Sequence, residues 1–373
     1  MDVAVISLRS VRAVPWYGGL VQAEDVLVRC LGARLHAVEL GRPRYARPPI
    51  ASPHVHRALA LTRLGHPYRL DPPAGTGAGP NGRADVAVLV ANDLHDVSML
   101  LGVRDWNDLG EVVLVHIAEI SPRDLKLYPE VVRHLCHRAD YVFTGTEGLE
   151  HERLRRDRVR SVSVVPPLLD VLGFPTRPLA GDRPIDVLNV GRRDPAQHEA
   201  LRSWASEHGG YYVRDTGYLP AVTSLADHRE MYAATAARAG VFITNFARFD
   251  QPEQHGGIWE VGTRFYEAMA AGCVLAGELP VRSKVFQERI APVEPLAFPL
   301  GSTSLPAELR AVLDDPTGAE GRHRSTRATA LRAHDVAHRW REMSEIAGLA
   351  PSPGIDARVA ELGALAADVL DGR

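Results

Sequence analysis

Short, almost purely apolar runs alternate along this chain with stretches of helical periodicity, and that alternation limits the possible folds more than any other feature. DVAVIS (2–7), VAVLVA (86–91), VVLVHI (112–117), YVFT (141–144), IDVLNV (185–190) and VFITNF (241–246) read as strands, with weaker candidates at 34–39, 162–166, 211–214 and 273–277. Between them, helical spacing appears at 20–31, 96–103, 124–137, 147–156, from 195, 227–238 and 264–271. A strand without polar alternation is buried on both faces, which is the mark of a parallel sheet covered by helices. The expected class is therefore α/β, with two Rossmann-like doubly wound domains facing across a cleft. The Pro-, Gly- and Asp-rich segment 167–184 reads as the linker. It gives an N-terminal domain over 1–172 and a C-terminal one over 173–350. Segment 73–84 reads as a flexible surface loop, 318–347 as one long helix, and 355–371 as a last amphipathic helix after the break APSPG.

Composition narrows the function classes. A chain of 373 residues has room for two ordinary domains. With 45% apolar and 24% charged residues it is globular, which excludes a disordered chain. A net charge of −3 offers no bulk attraction to nucleic acid or anionic membrane. Cys30, Cys136 and Cys273 have no metal-like spacing and fit a reducing compartment. The N-terminus opens directly on a strand, and no window reaches the ~18 apolar residues of a spanning helix, so a cytoplasmic location is expected. The pairs His54/His56, His134/His137 and His334/His338 have ligand-like spacing, but no carboxylate cluster accompanies them. They read as solvated helix faces, and no metal site is expected.

Open parallel sheets bind ligands beyond the carboxyl ends of their strands. The strongest local feature there is GTRFYEAMAAGCVLA (262–276). Thr263 reads as the N-cap and Gly272 as the C-terminal stop of a short helix. Before it lies the Gly-rich stretch His255, Gly256, Gly257, Glu260, Gly262. Glycines and a helix N-terminus supply N–H groups for an anion. Arg264 and Glu267 share a face, and Glu267 can accept two hydrogen bonds from a ribose diol. A plain Arg264–Glu267 surface ion pair is the other reading. The second feature follows strand 185–190: Gly191, Arg192, Arg193, then Asp194-Pro195 as a helix start, with Arg192 placed for a pyrophosphate. His116 ends a strand, where it could bond a substrate hydroxyl or sit satisfied in the core. Gly18 and Gly19 precede the first helix and could admit a phosphate or sugar; Asn92 and Asp93 are a weaker candidate. No GxGxxG follows a predicted strand, and Walker-lysine and GxSxG patterns are absent.

On these residues the chain resembles the GT-B glycosyltransferases, in particular the family 4-like, group 1 retaining enzymes. VVLVHIAEI, YVFTGTEGLEHERL with VSVVPPLLDVLGF, DVLNVGRRDPAQ and GTRFYEAMAAGCVLAG carry the likeness, and EAMAAG is its most specific piece. The resemblance implies an NDP-sugar-dependent hexosyltransferase that is retaining and metal-independent. The donor would lie in the C-terminal domain and the acceptor, a small molecule or glycan, in the N-terminal one. Helix 355–371 would pack back on the N-terminal domain. Glu267 would hold the ribose hydroxyls and Arg192 the diphosphate, while His116 would touch the transferred sugar. Gly18 and Gly19 would line the phosphate side. Glu260 counts with His116 and Arg192 as catalytic, and His255, Gly256, Gly257, Gly191, Arg193, Gly262 and Arg264 count as donor-binding. Two departures stand out. Glu260 and Glu267 are one residue closer together than the family's glutamate pair, with Glu253 as another candidate for the first. The lysine after the GR arginine is missing, and Arg193 is its expected substitute. No cofactor beyond the nucleotide sugar is implied. A nucleotide-sugar epimerase, a pseudo-glycosyltransferase or an inactive nucleotide-binding member are the alternatives on the same fold.

Overall fold

A computed structural model describes residues 1–12, 14–40, 68–70, 83–100, 103, 106–147, 161–175, 183–215, 224–251 and 259–372. The chain is α/β and divides into two compact units. The first comprises Met1–Leu168, Ala221–Leu225 and Arg339–Ala357; the second comprises Leu169–Pro220, Ala226–His338 and Arg358–Arg373.

The first unit holds a sheet of β1 (Val3–Ser7), β2 (Arg34–Leu40), β3 (Tyr68–Leu70), β4 (Ala84–Ala91), β5 (Gly110–Ile117), β6 (Tyr141–Thr144) and β7 (Val162–Val164), in the order β3-β2-β1-β4-β5-β6-β7. Every neighbouring pair is parallel except β2 with β3. The apolar runs behave as their lack of alternation requires: all of Val3–Ser7 and Val86–Ala91 is buried. The chain passes from β1 outward to β2 and returns to β4 on the other side of β1. The β1/β4 pair is thus the switch point of this sheet. Helices α1 (Gly18–Leu31), α2 (Leu94–Leu100), α3 (Pro122–Leu127) and α4 (Pro129–Arg138) follow in chain order. The helix expected over 124–137 is two helices, because Pro129 can open a helix but cannot continue one.

The second unit holds β8 (Ile185–Asn189), β9 (Tyr212–Arg214), β10 (Ala239–Ile243), β11 (Val274–Gly277) and β12 (Leu296–Ala297), all parallel, in the order β12-β11-β10-β8-β9. Its switch point is β8/β10. Helices α5 (Pro195–His208), α6 (Leu225–Ala236), α7 (Thr263–Ala270), α8 (Lys284–Arg289), α9 (Ala307–Asp314) and α10 (Glu320–Ala333) follow; next in the chain come α11 (Val336–Ala347), most of which belongs to the first unit, and α12 (Pro353–Asp371), most of which belongs to the second. Leu201 and Trp204 of α5 and Leu309 and Leu313 of α9 pack on Val187, Val241, Val274 and Leu296 of the strands. The two-residue β12 and the antiparallel β3 are too short to show periodicity, so the sequence reading did not contain them.

The long helix expected over 318–347 breaks at Asp335, whose carboxylate takes N–H groups from Ala337 (2.9 Å) and Val171 (3.0 Å). The same carboxylate pairs with Arg358 of α12 at 2.8 Å, and Arg358 reaches Asp170 at 2.6 Å. Arg327 of α10 donates to the carbonyls of Val171, Phe174 and Ala270. The start of the expected linker is therefore a buried, hydrogen-bonded segment, with Leu168, Leu169, Val171 and Phe174 all inside. Its apolar residues, read as part of a Pro/Gly-rich stretch, are core residues. His334 and His338 are not on a solvated face: their Nε2 atoms meet the carbonyls of Arg289 and Leu331. The helix expected at 147–156 lies, but for Glu147, outside the described residues, as does most of loop 73–84.

Candidate active site

In the second unit Gly191, Arg192 and Arg264 stand at the β8/β10 edge of the sheet. Beyond the last residue of β8, Gly191 adopts φ +76°, a left-handed turn that glycine enters without strain. Its N–H donates to Asp215 Oδ2 at 2.9 Å. The space a Cβ would need is filled by the guanidinium of Arg264. Arg264 sits in the first turn of α7, so the two strongest sequence features meet here. The α7 N-cap is Gly262 rather than Thr263, and no side chain caps that end. Gly272, with φ +68°, follows its C-terminus.

The arginines divide the work. Arg192 is half exposed and pairs with Asp250 at 2.9 Å, in the turn after β10. Arg193, expected to replace the missing lysine, turns instead to Asp215, pairing with its carboxylate at 2.8 Å and with its carbonyl. Among the described residues Arg264 has no ion-pair partner. Asp194 caps α5 by accepting the Gln197 N–H at 2.9 Å and also takes the N–H of Gly301 at 3.1 Å. The loop leading into α7 is fixed by Ala247 N–H to the Glu260 carbonyl (2.9 Å) and by Trp259, which stacks on Phe246 at 4.9 Å. His255, Gly256, Gly257 and Glu253 lie outside the described residues.

Glu267 does not pair with Arg264. Its Oε1 takes Nη1 of Arg229 at 2.5 Å, and its Oε2 takes the hydroxyl of Tyr232 at 2.7 Å. Arg229 and Tyr232 both belong to α6. Arg229 is buried, with its guanidinium over the rings of Phe174 (5.0 Å) and Tyr232 (5.1 Å). Burial and the Glu267 charge push the Tyr232 phenol well above its ordinary value, so it stays protonated and donates. Neither Arg229 nor Tyr232 stands out in the sequence. Their one signal is the i, i+3 spacing on α6, which any surface helix shows.

In the first unit the candidates lie at the carboxyl ends of β1, β4 and β5. Gly18 and Gly19 begin α1, whose N-terminus no side chain caps. Asn92 and Asp93 follow β4 and help build the start of α2: Asp93 Oδ1 accepts the Asp96 N–H at 3.0 Å, and the Asn92 N–H donates to Asp96 Oδ2 at 2.8 Å. His116 is fully buried. Its Nε2 meets the carbonyls of Val165 and Pro166 at 3.3 and 3.2 Å, and burial pulls it down to about 4. The expected picture of His116 bonding a substrate gives way to a neutral imidazole that ties β5 to the chain after β7.

Two buried carboxyls that the sequence did not single out flank this switch point. Glu24 of α1 accepts from Ser7 Oγ at 2.5 Å and pairs with Arg9 at 3.0 Å. Asp96 pairs with Arg12 at 2.7 Å. Burial raises each to about 7. Among the described residues no cluster of three or more His, Cys, Asp or Glu could hold a metal, and no helix is long and apolar enough to cross a membrane.

No protein-family profile and no curated protein matches the sequence. Among solved structures, the chain is similar to AviGT4, a glycosyltransferase involved in avilamycin A biosynthesis, at 15% identity, covering 92% of this chain and 96% of that one with a TM-score of 0.47. It is similar to the glycotransferase of kitacinnamycin at 15% identity, with coverage of 92% and 98% and a TM-score of 0.39. The glycosyltransferase SnogD from Streptomyces nogalater is 17% identical, with coverage of 98% and 99% and a TM-score of 0.36.

Proposed function

We propose that this chain is a glycosyltransferase that moves a hexose from a nucleoside-diphosphate donor to an acceptor hydroxyl, with retention and without a metal ion. The observation that carries the reading is the contact between Gly191 and Arg264 at the β8/β10 switch point. It joins a left-handed strand-end turn, a guanidinium and an uncapped helix N-terminus, all suited to one anionic group. Glu267, one turn further along α7, is then within the reach of a nucleoside whose diphosphate rests there.

The chemistry follows from charge. As the glycosidic bond to the diphosphate breaks, the departing oxygen gains negative charge. Arg264 and Arg192 stabilise that charge more in the transition state than in the ground state. For Arg192 this requires exchanging its exposed pairing with Asp250 for the phosphate, a weak interaction to give up. Asp215, Asp250 and Glu267 each already hold an arginine. None of the three is poised as a covalent nucleophile, which supports a same-face route in which the leaving oxygen takes the acceptor's proton. The acceptor, a small molecule or glycan, is assigned to the first unit's switch point beside Gly18, Gly19, Asn92 and Asp93.

The test is a thermal-shift panel with UDP, GDP, ADP and TDP, followed by product analysis with the sugar-labelled form of the best nucleotide. A ligand at 100 times its dissociation constant adds about 2.7 kcal/mol of stability. A melting temperature unmoved by every nucleotide would overturn the reading.

A further inference from the structure

We infer that Arg229 and Tyr232 are positioning residues for the donor's ribose: they fix the Glu267 carboxylate so that its remaining acceptor sites meet a vicinal diol. This rests on the assignment of Glu267 to the ribose made above.

A carboxylate has about two acceptor sites on each oxygen. Arg229 Nη1 takes one on Oε1 and the Tyr232 hydroxyl takes one on Oε2, at 2.5 and 2.7 Å. Among the described residues one site is left on each oxygen, which equals the two O–H donors of a ribose diol. Both positioning groups come from one face of α6, three residues apart, so the carboxylate is held from one side. Arg229 is itself held, with its guanidinium over the rings of Phe174 and Tyr232. A free glutamate would lose its rotamer freedom on binding a diol; this one has lost it beforehand.

A purely structural role explains the arrangement poorly. Burying an ion pair seldom stabilises a fold relative to apolar side chains of similar volume. Arg229 is 4% exposed and Glu267 9%, the latter in a helix otherwise packed through Phe265, Tyr266, Met269 and alanines. The pair stands one helical turn from Arg264, the residue that abuts Gly191. The electrostatics of α7 therefore serve two neighbouring parts of one ligand.

The experiment measures hydroxyl preference by titration calorimetry. UDP, GDP, ADP and the ribo form of TDP are each compared with the analogue that lacks the ribose hydroxyls, using the wild-type chain and the variants Glu267→Gln, Arg229→Met, Arg229→Lys and Tyr232→Phe. Two charge-assisted hydrogen bonds predict a wild-type preference of at least about tenfold for the hydroxylated form of the best nucleotide. Glu267→Gln removes most of it. Arg229→Met and Tyr232→Phe each shrink it to within about threefold while leaving affinity for the hydroxyl-free analogue unchanged, and Arg229→Lys restores part of it. If the wild type shows no preference, the assignment of Glu267 fails and this inference falls with it. If the preference exists and survives in Arg229→Met and Tyr232→Phe, the inference alone is overturned. A loss of affinity that is equal for both forms would show a structural role and would also overturn it. Should Arg229→Met not fold, Tyr232→Phe decides.

Discussion

The guanidinium of Arg264 occupies the space in which a side chain on Gly191 would begin. They lie 73 positions apart in the sequence, and the parallel pairing of β8 with β10 closes that distance. Residue 191 is thereby constrained twice, by its φ of +76° and by its neighbour.

Gly191→Ala tests both constraints at once. The left-handed turn costs about 1–2 kcal/mol for a residue with a Cβ, and the new methyl group must displace Arg264. The expected result is a lower melting temperature together with at least about tenfold weaker nucleoside-diphosphate binding, as for one lost charge-assisted hydrogen bond. Titration of the variant checks it. Unchanged affinity would mean that Arg264 does not meet the diphosphate.

Arg192→Ala separates transition-state from ground-state binding. Because Arg192 is half exposed and paired only with Asp250 among the described residues, its removal leaves the fold intact. Steady-state kinetics should show kcat reduced at least about tenfold with a smaller change in KM. A lower affinity with an unaltered kcat would place the residue in uniform binding instead.

Truncating Glu267 should do two kinds of damage. Glu267→Ala strands the buried Arg229 charge, a loss of about 3–5 kcal/mol. Glu267→Gln keeps the shape and an acceptor for Tyr232 or Arg229, so its stability loss should be smaller. Chemical denaturation of the two variants distinguishes them. Equal losses would show that the Arg229 ion pair does not form in solution.

The pH dependence of stability follows from Glu24 and Asp96. Their ordinary values are 4.5 and 3.8, and in the folded chain both stand at about 7, with burial the main cause. Between about pH 4.5 and 7 the unfolded chain has released protons that the folded chain still holds. Stability therefore falls as pH rises through that window, and the loss is complete above it. Glu24→Gln should gain stability over the wild type at pH 8 and show no gain at pH 5, where Glu24 is already neutral. Urea midpoints at the two pH values provide the measurement. A constant difference would mean that Arg9 keeps Glu24 ionised throughout.

Asp335→Ala removes the acceptor for Arg358 and for the Val171 N–H, both buried. A loss of about 3–5 kcal/mol is expected in chemical denaturation. A change near zero would show that water replaces the carboxylate there.

The sequence by itself determined the class of fold. Runs such as Val86–Ala91 and Val112–Ile117 carry no polar alternation, and only a sheet covered on both faces buries them. It also determined where to look, because the residues after β1, β4, β8 and β10 follow from the strand positions alone. What it could not supply was the partner of each side chain. Arg193, Arg192 and Arg264 look equally available in the sequence, yet Arg193 is taken by Asp215. Glu267 looked like a partner for Arg264 and is held by Arg229. His116 looked like a strand-end ligand and is sealed in the core. Local patterns come from hydrophobic period and turn chemistry, which act over a few residues. Pairing of charges depends on which loops the sheet order brings to one edge, and that is settled only when β10 lies beside β8 and α6 brings Arg229 to Glu267.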